Sequence, residues 1–227
     1  MTTYNRAFRQ HRSVFLSSLQ TIPTAAFLDA LASREPVPGG GAAAAVAGAH
    51  GAALVCMVLN LTVGRKRFQR HEAILQPIQQ QLEMNRLELL ELAEQDTAAY
   101  AEVARCLKLS AHDSAARTVR AELDQVLHAA AAVPCQVAAT CRNALVDTWE
   151  VANRGNRTVL SDVVVGTHLL LAAVRSSEVN VQVNLRMASP SARQQAMTAT
   201  IAACIGDADE AANRTLDRCA KRMSNPR

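Results

Sequence analysis

The residue best suited to chemistry in this chain is Asp96. Leu75, Ile78, Leu82, Leu89, Leu92, Ala99 and Val103 recur in steps of three and four, the seam of an amphipathic helix. Asn85 and Asp96 take the two positions that complete it. A carboxylate on an apolar seam is costly unless it is paired or protonated. Burial raises its pKa, which is what a general acid or base working near neutrality needs. Tyr100, one turn later, is spaced to hydrogen-bond it. The plainer alternative is an aspartate at the margin of the stripe, solvated or paired with an arginine.

A second candidate is Pro38-Gly39-Gly40-Gly41, which leads straight into a run of small residues. Glycines allow close approach and positive φ. The N–H groups of a helix that starts there would offer a site for a carboxylate or carbonyl oxygen. Ala44, Gly48 and Ala52, with Ala47 and Gly51 alongside, permit close packing on a neighbouring helix. The alternative is a tight turn that feeds a packing helix. The cations Arg65, Lys66 and Arg67 follow that helix, where they suit its dipole or could grip an acidic substrate. Later come Ser161-Asp162, an N-cap pattern, and Asn180 with Asn184, four apart on one helix face. Each has an ordinary structural role open to it.

Other chemistries find little support. The glycine turn lacks the Gly-Lys-Ser/Thr ending of a phosphate loop. His71-Glu72 lacks a second zincin histidine, and His11, His50, His112, His128 and His168 show no ligand spacing, so no metal site is expected. There is no nucleophile elbow and no dinucleotide fingerprint.

The elements that must position these residues are helices. Hydrophobic residues make up 49% of the 227, which supports a sizeable core, but aromatics only 3%, so Ala, Val, Leu and Ile must build it. No strand-type alternation runs far. The pattern predicts an all-α, up-and-down bundle of long, partly kinked helices. These are a helix within 5–20, a short one near 24–33, then roughly 41–63, 67–109, 113–153, 159–186 and 189–222. Pro77 and Pro134 fall inside two of them and should kink or restart them. Gly155-Asn156 reads as a helix end. Residues 1–23 read as an extension and 24–227 as a single domain.

The net charge of +4 allows an acidic small molecule but falls short of a nucleic-acid footprint. Six cysteines without a CxxC pair read as buried free thiols in a reducing compartment. Met1–Gln20 has no apolar signal core, so the location expected is cytoplasmic. Ala42–Val63 is long enough to span a bilayer. Its Ala/Gly content favours a core helix, and no second span is read, so no membrane association is expected.

Together these residues resemble the formiminotetrahydrofolate cyclodeaminase / methenyltetrahydrofolate cyclohydrolase family. The resemblance rests on Phe27–Ser33, Pro38–Gly41, Leu61–Phe68, Asp96 with Tyr100, Val133-Pro134, Gly155-Asn156, Ser161-Asp162 and Asn180–Leu185, and covers about residues 24–190. It implies an all-helical homodimer with a tetrahydrofolate substrate near the glycine turn and no separate cofactor. It makes Asp96 the proton-transfer residue and suits Arg65 and Lys66 to the glutamate tail. Ser161, Asp162, Asn180 and Asn184 would line or brace the pocket. One departure is Ala42, where the family commonly has Ser. The favoured reaction is hydrolysis of 5,10-methenyltetrahydrofolate to 10-formyltetrahydrofolate by general acid/base catalysis. The alternatives are cyclodeamination of 5-formiminotetrahydrofolate, with release of ammonia, and a non-catalytic folate-binding or scaffold protein.

Overall fold

A computed structural model describes residues 21–112 and 117–224. Among them lie six α-helices: Thr24–Leu31 (α1), Gly40–Asn60 (α2), Glu72–His112 (α3), Arg117–Arg154 (α4), Leu160–Met187 (α5) and Ala192–Ser224 (α6). Short 3-10 turns, Lys66–His71 and Arg157–Val159, lead into α3 and α5. The described residues contain no strand. The all-α, up-and-down expectation therefore matches the fold. The helix expected within 5–20 and the start expected at 113 lie outside the described residues.

Helices α2 to α5 form a ring in which each packs on the next, and α6 lies against α4 and α5. Cross-links between helices give the directions. The Gln79 amide donates to Asn60 at 2.5 Å near one pole, while the Ala42 N–H reaches Asp96 near the other, so α2 and α3 are antiparallel. Gln136 donates to Glu88, and Arg105 pairs with Glu122, so α3 and α4 are antiparallel too. At one pole Asn156 ties back to Thr62 and Leu61; at the other Arg120 bonds to Met187 and Ser189. These contacts bring α5 back along α2 and α4.

The α2–α5 contact is close, as the small residues predicted. A Cβ on Gly51 would lie 2.8 Å from the Gly166 carbonyl oxygen, and one on Gly166 would lie 2.9 Å from that of Gly51. The core is aliphatic and alanine-rich, with Ala45, Ala52, Val55 and Leu59 of α2 buried against Leu89, Leu145, Leu170 and Ala208. The six cysteines are free, five buried and Cys135 partly so.

Three local expectations are corrected. Helices α3 and α4 continue through Pro77 and Pro134, so neither proline restarts its helix. Ser161-Asp162 is not the N-cap of α5. The helix begins at Leu160, and Asn156 caps the preceding turn by accepting from the Thr158 N–H. Asp162 sits in the first turn, where a negative charge still complements the helix dipole. Finally, a second segment, Arg157–Met187, is also long and apolar enough to cross a bilayer, alongside α2.

Candidate active site

The N-terminus of α2 is built around a carboxylate from another helix. Gly39 precedes the helix in extended backbone, and its side-chain-free start leaves the first N–H groups without a local cap. Asp96, from the middle of α3, takes that role: the Ala42 N–H donates to Asp96 Oδ2 at 2.9 Å. The approach is possible only because residue 41 is glycine. A Cβ there would lie 2.0 Å from Asp96 Oδ1 and 2.4 Å from Cγ. Gly41 therefore serves by space and not by φ; the one positive-φ glycine among the described residues is Gly64.

Two effects oppose each other at this carboxyl. Burial pushes its pKa up from the ordinary value, and the Ala42 hydrogen bond pulls it back by a smaller amount. The net result is a raised pKa. Asp147 on α4 is raised by burial as well, but it lines no cleft near these residues. A raised pKa becomes a functional signal only together with the cavity.

That cavity is a cleft of about 390 Å³, within the range of small-molecule sites. Gly39, Gly40, Gly41, Asp96, Tyr100, Asn180 and Asn184 all line it. Sequence reasoning placed seven residues from three distant stretches at one site, and the fold brings them together. Asn180 donates from Nδ2 to the Ser176 carbonyl at 2.9 Å, which orients its amide beside Gly40. Tyr100 is 44% exposed on the wall and has no hydrogen bond to Asp96, whose partner is the backbone of α2. Pro38 is buried under the turn, and its neighbours Pro36 and Val37 face the cleft instead.

The other predicted residues lie at the opposite pole. Arg65, Lys66 and Ser161 are exposed and Asp162 is half-exposed; the first two follow the C-terminal end of α2, and the other two sit in the first turn of α5 near that same end. The 21 residues of α2 separate the poles by about 30 Å. Within one chain they do not meet the cleft.

The apolar wall was missed. Ala99, Val103, Leu107, Ala130, Val183 and Met187 complete the lining. Val103 belongs to the Asp96 seam and Leu107 continues it by one turn, so that signal was present. Ala130 carried none. Ala42 is fully buried and does not line the cleft. The departure from Ser at this position therefore falls in the core, and the contact with Asp96 is made by the backbone N–H, which Ala and Ser supply alike.

Among the described residues no three His, Cys, Asp or Glu side chains come together as a metal site.

A model of the formiminotransferase-cyclodeaminase family matches residues 23–203. The chain belongs to this family. Among members of known activity, a methenyltetrahydrofolate cyclohydrolase from Methylorubrum extorquens is 38% identical over 168 residues, 74% of this chain and 80% of that protein. A formimidoyltransferase-cyclodeaminase from Gallus gallus is 34% identical over 170 residues, 74% of this chain but 31% of that longer protein. A formiminotetrahydrofolate cyclodeaminase from Thermotoga maritima has a structure that superposes with a TM-score of 0.82 at 27% identity, covering 89% of this chain and 98% of that one. These similarities place the chain among folate one-carbon enzymes with an all-helical fold.

Proposed function

We propose that this chain hydrolyses 5,10-methenyltetrahydrofolate to 10-formyltetrahydrofolate, with Asp96 as the proton-transfer group. The observation that carries the reading is the Asp96 carboxyl itself, held by the Ala42 N–H on the wall of the cleft with its pKa raised by burial. The likeness to the Methylorubrum cyclohydrolase supports the choice of reaction.

The methenyl bridge is an amidinium cation, so its carbon is already electrophilic. Ionised Asp96 takes a proton from water as the water oxygen bonds to that carbon, giving a neutral carbinolamine. Protonated Asp96 then delivers the proton to N5 as the C–N5 bond breaks. The hydroxyl proton leaves to solvent, and the formyl group stays on N10. The sum is one water consumed and one proton released. One carboxyl with a pKa nearer neutrality serves both steps. The chemistry requires no redox or metal cofactor.

The second reading is cyclodeamination of 5-formiminotetrahydrofolate, supported by the likeness to the Thermotoga and Gallus proteins. The same carboxyl would protonate departing ammonia as N10 closes the ring. We further propose a cytoplasmic homodimer whose single helical domain follows a short N-terminal extension.

The test is loss of methenyl absorbance with purified wild type and Asp96→Asn. The variant is expected to lose about 10²–10⁴-fold in kcat. A raised folded-state pKa means that ionised Asp96 costs the fold stability above that pKa, and that the cost vanishes below the unfolded pKa. Asp96→Asn should therefore remain folded, and be at least as stable at neutral pH. Wild-type activity should fall with falling pH along a limb above the ordinary carboxylate range. Turnover retained in the variant removes Asp96 from the mechanism. No wild-type turnover, with ammonia release from the formimino substrate, selects the second reading. Silence on both substrates leaves a folate-binding scaffold.

A further inference from the structure

The cleft lies where two apolar cores meet. On the Asp96 side, Ala42 and Leu92 belong to the main core of the bundle. On the other side, Val103, Leu123, Leu127, Ala130 and Ala188 belong to a separate small core. It is built from the C-terminal half of α3, the N-terminal half of α4 and the residue that follows α5. Val103 and Ala130 of that small core face the cleft, and Met187, next to Ala188, completes the same wall.

Met187 is the last residue of α5. The last four carbonyls of a helix have no partner within it, so the final turn frays unless donors come from elsewhere. Here side chains supply them. The Gln194 amide donates to the Leu185 carbonyl at 2.8 Å. Arg120, near the start of α4, donates from Nη2 to the Met187 carbonyl at 3.0 Å and from Nε to Ser189 Oγ at 3.1 Å. Asp124, one turn along α4, lies 3.3 Å from Arg120 Nη2 and accepts from the Ser189 N–H at 2.9 Å. A cation is also the charge that suits a helix C-terminus. The Arg120 side chain is half exposed, and an exposed ion pair by itself holds little. What sets this pair apart is that it fixes the two backbone groups on either side of Ala188, the Met187 carbonyl and the Ser189 N–H. None of Arg120, Asp124, Ser189 and Gln194 lines the cleft.

We propose that Arg120 is a positioning residue for substrate binding: together with Asp124 it holds the end of α5 so that Met187 stays in the cleft wall. Arg120 touches no substrate itself. Asp96 is held by the backbone of α2, on the side of the main core, and does not depend on the clamp. The clamp therefore governs how tightly substrate is held and leaves the proton transfer alone. Its effect on substrate rests on the folate reading; its effect on the helix end does not.

The test compares Arg120→Ala with wild type in the methenyl assay. KM should rise about tenfold with kcat within about twofold, because an apolar wall contact is lost while the carboxyl stays in place. A purely structural role would lower the active fraction, and with it the apparent kcat, at unchanged KM; that result overturns the proposal. Met187→Ala should raise KM to a similar extent, and the double variant should raise it no further, because Arg120 acts through Met187. Additive losses overturn it. Should the wild type turn over neither folate substrate, the helix end is read directly by amide hydrogen exchange on the intact protein. Arg120→Ala should speed exchange on the order of tenfold at residues 185–189 and leave residues 42–59 as in wild type. Faster exchange confined to the end of α5 sustains the clamp even if the folate reading fails; unchanged exchange there overturns it.

Discussion

Gly41 and Gly51 lie on the same helix, and at each another group comes nearer than a Cβ would allow. At Gly41 the group is the Asp96 carboxyl, 2.0 Å from where the Cβ would be. At Gly51 it is backbone and side chain of α5, the Gly166 carbonyl oxygen and Leu170 Cγ, both at 2.8 Å. The first approach sets a titratable group against a helix N-terminus on a cleft wall. The second draws two helices together in the core. The sequence signal is the same in both places, a small residue on one helix. What decides its meaning is the chemistry of the group that approaches.

The largest effect expected from breaking this comparison is at Gly41. A methyl group there must displace the Asp96 carboxyl, because the competing atoms overlap outright. Gly41→Ala should cost at least about 100-fold in kcat/KM, since a reacting group moved by an ångström loses that much. It should also lose about 1–3 kcal/mol of stability from overpacking. Turnover and urea denaturation measured on the same preparation read both. Wild-type turnover would mean that the Ala42–Asp96 contact is dispensable.

Gly51→Ala should leave chemistry alone and strike stability. The close atoms include the Gly166 carbonyl and the Leu170 amide nitrogen, so relief requires the helices to part. Overpacking of about 1–3 kcal/mol opposes a helix-propensity gain of up to about 1 kcal/mol. The expected net loss is about 1–2 kcal/mol, with kcat per folded molecule within about twofold of wild type. A stabilised variant, or one inactive while folded, would erase the distinction between the two glycines.

Much of this architecture was legible in the chain because helices announce themselves locally. The period of the Asp96 seam and the run of small residues from Ala44 to Ala52 depend on near neighbours, and the helices found at Gly40–Asn60 and Glu72–His112 follow them. Asp96 stood out because it interrupts an apolar period. The position of the helix N-terminus against it did not, because that contact joins residues 54 apart in sequence. The start of α5 was misread for a local reason. Ser161-Asp162 has the residue types of a cap, but Asn156 already caps the turn upstream. Arg65, Lys66, Ser161 and Asp162 show the deeper limit. Their association with the glycine turn is a property of the family pattern, and pattern carries no distance. The fold puts them about 30 Å from the cleft of their own chain.

Gly206 sharpens the comparison from the opposite side. It lies in the interior of α6, exposed, and a Cβ built there meets nothing within 4 Å. Its neighbours Ile201, Cys204 and Ala208 make the contacts of that stretch with the core, and no α6 residue lines the cleft. Neither close approach nor chemistry requires a glycine at this position, so only its backbone entropy is left to matter. Gly206→Ala should therefore stabilise the protein by about 0.5–1 kcal/mol. For a chain of this size that raises the melting temperature by roughly 1–4 °C, with turnover unchanged. A loss of stability at Gly206 would show that α6 makes a close contact outside the single chain.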